Sequence, residues 1–143
     1  MGFTHVQWFR AAVRLKLSLK SPLEGWSTMM LSAETLAIEN VCYRGTAGVS
    51  ADNRGLGMRS AFFDHATRTI YLSRFAGGRV ASCHQLNGLP AELVLTCDAS
   101  GRACRIKTSV EAGFERSGRF YSRAEAVAFA DRVEQEWRLA ELG

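Results

Sequence analysis

A chain of 143 residues, 47% hydrophobic and 22% charged, is long enough to bury roughly two thirds of its unfolded surface in one core, and its composition excludes a disordered or low-complexity protein. No apolar run approaches the ~18 residues that a bilayer-spanning helix requires, which excludes a helical membrane protein. The net charge of +4 is milder than the basic footprint usual for nucleic-acid-binding domains.

The amino terminus fails the myristoylation pattern because Val6 stands where Ser or Thr is needed, and residues 8–20 are too interrupted by charge for a signal-peptide core. The reading is cytoplasmic. Fifteen arginines against three lysines fit a GC-rich bacterial coding background. Charge is unevenly spread: residues 58–121 hold nine basic and five acidic residues, net +4, whereas residues 122–143 hold three against five, net −2. A basic body with an acidic end permits attraction to acidic partners or self-pairing.

In chain order, residues 13–20 alternate strictly, with Val13, Leu15, Leu17 and Leu19 on one side and Arg14, Lys16, Ser18 and Lys20 on the other, the pattern of a half-buried strand. Ser21 and Pro22 end it, since proline cannot donate to a ladder. Residues 23–43 fit a short helix or two short strands equally. "GTAGVSADNRGLG" at 45–57 holds four glycines and reads as a loop.

Hairpin signals follow. Residues 60–63 and 69–75 flank "DHATR", where the Asp64 side chain can close an Asx turn on its own backbone. Gly77-Gly78 then marks a two-residue hairpin between Phe75 and Arg79. Residues 80–86, 93–97 and 102–107 continue the series. Ser117-Gly118 is a further turn signal, 119–121 a short strand, and Ser122 with Glu125 three residues on forms a capping box that opens a helix. Ala126, Phe129, Ala130, Val133, Trp137 and Ala140 recur at helical spacing, one apolar stripe expected to lie on the sheet, with Arg123, Asp131, Glu134 and Arg138 mainly outside it.

The expected architecture is one α+β domain over 1–143: a less regular part at 1–44, the glycine-rich loop at 45–57, a curled antiparallel β meander of about five to seven strands at 58–121, and a C-terminal α-helix at 122–141 packed on one face. The tail, Gly113-Phe114, Gly118-Arg119-Phe120, then Arg123 with Glu125-Ala126, is similar to a Gly-Phe…Gly-Arg-Phe…Arg-x-Glu-Ala ending found in small uncharacterised bacterial and phage-borne proteins. That resemblance spans about fourteen residues of a strand-turn-cap design; it implies a mobile or accessory bacterial context and no activity.

No nucleophile elbow, P-loop or metal motif is present. A zinc site from Cys83, His84, Cys97 and Cys104 is disfavoured because adjacent strand residues point to opposite faces, and the same divergence works against a Cys83–His84 nucleophile and base. His65, the other base that Cys83 or a serine could use, lies in a turn, where exposed polar residues are the norm. If Ser100-Gly101 is a two-residue turn, Cys97 faces Cys104 directly, as two small buried hydrophobes in a reducing compartment or, alternatively, as a redox-labile pair. "NRGLG" at 53–57 resembles a fragment of a phosphate-cradling loop but lacks the Lys-Ser/Thr that completes one.

These observations favour a small bacterial accessory protein acting as a non-catalytic binding module for a partner protein or small ligand. Arg14, Lys16, Trp26, Arg119 and Tyr121 are its candidate contact residues, with no cofactor, no metal and no membrane. A sheet covered by one helix must curl or find a second cover, and homodimerisation supplies one. The alternatives are a small enzyme with a pocket built on His84 and Cys83, and, less favoured, weak nucleic-acid binding through the basic N-terminal strand.

Overall fold

A computed structural model gives the structure of the protein, and it describes residues 31–142. The predicted strand at 13–20 lies outside them, as do Arg14, Lys16 and Trp26. The described elements are α1 (Ala33–Cys42), α2 (Ser50–Asn53) with a following 3-10 turn, β1 (Arg59–Asp64), β2 (Thr69–Leu72), β3 (Val94–Cys97), β4 (Ala103–Ile106), β5 (Val110–Arg116), β6 (Arg119–Ser122) and α3 (Arg123–Leu142).

Of the two readings open for 23–43, the described part is a helix. Ser32 caps α1 reciprocally with Thr35: Thr35 N–H donates to Ser32 Oγ at 3.2 Å, and Ser32 N–H donates to Thr35 Oγ1 at 2.8 Å. Two donors that the first turn would leave orphaned are thereby satisfied.

Four strands form an antiparallel sheet in the order β2-β1-β5-β6, while β3 and β4 form a separate two-stranded hairpin. Both local hairpins of the large sheet follow their turn residues. Asp64 Oδ1 accepts from Ala66 N–H at 3.0 Å, closing the Asx turn between β1 and β2. Ser117 and Gly118 join β5 to β6 with φ of 52° and 82°, the type I′ geometry whose twist matches the strands.

The α+β class holds, but the sheet is not curled and has fewer strands than the expected meander. The reason lies in residues 73–109. Leu86, Leu89 and Leu93, spaced three and four apart, are all buried, a spacing that strand alternation cannot supply. The backbone there closes 3-10 turns at Leu86–Gly88 and Ala91–Leu93 instead. Near Gly77-Gly78 the loop has three residues, since Phe75 N–H bonds Arg79 O at 2.9 Å, and only Gly78 has positive φ.

The register at β3–β4 also departs from expectation. Asp98 Oδ1 accepts from the amides of Ser100 and Arg102, at 2.9 and 3.0 Å, and this Asx turn makes a three-residue loop. Cys97 therefore pairs with Ala103, not Cys104. Cys97 is exposed, Cys104 half-buried, and both are free thiols.

Phe62, Ala112, Phe114 and Tyr121 share one face of the large sheet by register, and both core clusters lie on it. One gathers Leu31, Leu36, Leu86, Leu93 and Ile106 around Phe62. The other sets Ala126 of α3 against Met58, Phe114 and Tyr121.

The capping box of α3 is present: Glu125 N–H donates to Ser122 Oγ at 3.1 Å, and Ser122 N–H donates to Glu125 Oε1 at 3.0 Å. The stripe beyond it lies on the sheet only at its start, at Ala126 and Phe129. Ala126 is fully buried and Phe129 half-buried, but Trp137 is 70% exposed. Twenty helical residues span about 30 Å, twice the ~14 Å across four strands. Because α3 follows the edge strand β6 directly, its second half overhangs.

Ser122→Ala is expected to cost about 1 kcal/mol through the lost cap. Trp137→Ala, which a buried ring would make severe, is expected to stay within about 0.5 kcal/mol of the wild type. Urea denaturation of dilute protein measures both, and a Trp137→Ala loss above that of Ser122→Ala would place the ring in the core.

Candidate functional site

The densest polar cluster in the described core is built on Arg123, the first residue of α3. Its side chain is 3% exposed. Nε donates to Glu39 Oε2 of α1 at 3.0 Å, and NH1 donates to the carbonyl of Gly48 at 2.8 Å. NH2 faces His84 Nδ1 at 3.5 Å, the outer limit of a hydrogen bond.

His84 completes the chain. Its Nε2 lies 2.7 Å from the carbonyl of Gly113, and a carbonyl only accepts, so Nε2 carries the proton and Nδ1 turns its lone pair to Arg123. The imidazole sits edge-on to Phe62 and tilted against Phe114, with centroids 5.3 and 5.4 Å apart. Burial first, then the charge of Arg123, pushes its pKa down to about 3, outweighing the carbonyls of Gly113 and Ala61 that favour the cation. The ring is neutral with both nitrogens engaged.

Two glycines make these approaches feasible. A Cβ on Gly48 would overlap the Tyr43 ring, and one on Gly113 would overlap both Phe120 and the Tyr121 carbonyl. Any side chain there would displace the two carbonyls that hold Arg123 and His84.

The cluster therefore ties α1, the 43–49 loop, the segment after β2, and β5 to the start of α3. As chemistry it is closed. An accepting nitrogen aimed at a guanidinium cannot take a proton from a substrate without breaking that contact.

The sequence had set Arg123 outside the apolar stripe; the structure buries it. One signal marked it: a cation in the first helical turn opposes the helix dipole, and such a break of a local rule asks for a compensating partner. Glu39 is that partner, and no sequence spacing joins it to Arg123.

Cys83 and His84 are not brought together as a pair. Cys83 is exposed, with Sγ accepting from Gln85 Nε2 at 3.4 Å, while the His84 ring enters the core. Arg119 and Tyr121 do meet, the guanidinium lying 4.8 Å from the ring centroid. Arg119 also approaches Glu125 at 3.8 Å and remains exposed, but Tyr121 is a core residue packed on Phe129.

His65, the other histidine weighed as a base, pairs with Glu111 at 2.9 Å across the β1–β5 end. Burial raises the Glu111 carboxyl above its ordinary range, against the pull of His65. Among the described residues no three His, Cys, Asp or Glu side chains assemble as a metal site. Comparison with known proteins finds no matching family model, no matching curated protein and no matching solved structure.

Proposed function

We propose that the protein is a non-catalytic interaction module, and that it engages its partner through the overhanging half of α3. The observation carrying this reading is the exposure of Trp137, 70%, on a stripe that Val133 and Ala140 continue. A solvated tryptophan on an otherwise ordered helix is a typical anchor for a protein interface.

The partner chemistry that fits best is a second copy of the chain. Both signs flank the stripe, with Arg132 and Arg138 among Glu134, Glu136 and Glu141, so two antiparallel copies can set cations against acids at its margins. The occupied nitrogens of His84 support a non-catalytic reading over the enzyme alternative. An accessory role in a bacterial or phage-borne context agrees with the tail resemblance.

Size-exclusion chromatography with light scattering tests the proposal. The wild type is expected at dimer mass and Trp137→Ser at monomer mass, with unchanged circular dichroism. A wild type that is monomeric at every concentration overturns self-pairing through α3.

A further inference from the structure

We propose a second, separate binding site, for a small organic anion, in the cleft between the α2–β1 connection and the 80–82 segment. The cleft has a volume of about 260 Å³. Arg54 and Arg59 line it together with the hydroxyls of Ser50 and Ser60, and Met58 and Val80 supply apolar surface. The volume falls just under the ~300–1,000 Å³ of pockets that hold drug-sized ligands, so the occupant is small.

The two arginines differ in what they already hold. Arg59 donates from Nε and NH2 to Glu115 Oε2, at 2.9 and 2.7 Å, so its charge is met. Arg54 reaches only the Ser82 carbonyl, at 3.5 Å, and among the described residues no carboxylate pairs with it. A guanidinium without a counter-charge beside a concave surface is a ready carboxylate or phosphate ligand, since its planar fork matches two oxygens of either.

The serines add a donor. Ser50 Oγ and Ser60 Oγ are 2.6 Å apart, and Ser60, 2% exposed, also points at the Ser82 carbonyl at 3.3 Å. Two hydroxyls bring two protons to one short bond and one long one. Giving up the long bond lets Ser60 donate to Ser50 and Ser50 donate to a bound oxyanion. Met58 and Val80 then cover whatever short apolar group the anion carries.

The sequence had singled out 53–57 as an incomplete phosphate loop. The structure assigns its arginine, not its backbone, to the role. The site uses no residue of the α3 stripe, so it stands or falls independently of the interaction reading.

The test is an amide ¹H–¹⁵N NMR titration of the full chain with phenyl phosphate, benzoate and inorganic phosphate. Saturable shifts are expected at Ser50, Arg54, Ala81 and Ser82 with the two aromatic anions, and weaker ones with inorganic phosphate, which has no apolar part. The relative strength of phenyl phosphate and benzoate names the anionic group. Arg54→Gln is expected to weaken binding about tenfold or more, the loss of one charge-assisted contact. Arg68→Asn, in the turn at the far end of β1, is expected to leave it unchanged. No saturable shift up to ~10 mM, shifts spread over all surface arginines, or equal weakening by both variants overturns the site.

Discussion

Arg123→Met is expected to cost about 3–5 kcal/mol, because it removes the guanidinium that meets the Glu39 carboxylate and donates to the Gly48 carbonyl inside the core. Against a total stability of about 5–15 kcal/mol, that brings a domain of this size near unfolding at ambient temperature. The Glu39 side chain is only 14% exposed, so water cannot readily replace what the arginine supplies. Arg123→Lys is expected to fail almost as badly: an ammonium offers no planar fork to reach both Glu39 and Gly48 at their separate angles. Urea denaturation of Arg123→Met, Glu39→Leu and the double variant checks this. The double variant should be more stable than the sum of the single losses predicts, by about 0.5–3 kcal/mol, since it removes both charges together. A loss for Arg123→Met below about 0.5 kcal/mol would mean the cluster does not hold the elements together.

Where the sequence was legible, it was legible through local chemistry. Asp64, Ser117-Gly118 and the Ser122/Glu125 box each act within four residues, and each does in the structure what its spacing implied. Misreadings arose where a residue's role depends on something distant. Leu86 and Leu93 looked like parts of two strands, with Leu89 in the turn between them, because their common burial is set by Phe62 and Ile106, far off in the chain. The α3 stripe has helical period to its end, but period cannot say how wide the sheet beneath it is. Cys97 and Cys104 lost their facing register to one Asp98 side chain.

The candidate site was less legible than the fold. His84 was named for its chemistry, yet its surroundings come from residues 29 and 39 positions away, Gly113 and Arg123. Those contacts turn a potential base into a structural donor. Arg54 sat in a motif that lacks a lysine, and the site proposed for it rests on its forming no ion pair among the described residues, although Asp52 is two positions away in the sequence.

The second large effect is on the pH dependence of stability. In the unfolded chain His84 titrates near its ordinary value of 6.5, and in the folded protein at about 3, because burial and Arg123 both disfavour the imidazolium. A depressed histidine contributes fully above pH 6.5, where both states are neutral. As pH falls below that value the unfolded chain takes up a proton that the native state refuses, so stability drops, by up to about 1.4 kcal/mol per pH unit, until the native ring itself titrates. Carboxylates confuse the lower part of that range. Glu115, held below its ordinary 4.5 first by the Gly118 amide and also by Arg59, loses its contribution only beneath that value. Glu111, its carboxyl raised by burial, takes up its proton first in the folded state and so offsets part of the loss, and the His84 contribution, a fall of about 2–3 kcal/mol from about pH 6.5 to 4.5, is read as the difference from a variant that keeps Glu111. His84→Gln provides the comparison, since its amide can still donate to the Gly113 carbonyl but does not titrate. Urea midpoints for this variant should change far less across the same interval, even if its stability at pH 7 is lower. Equal slopes in the two proteins would show that His84 reaches solvent and takes up its proton in the folded state.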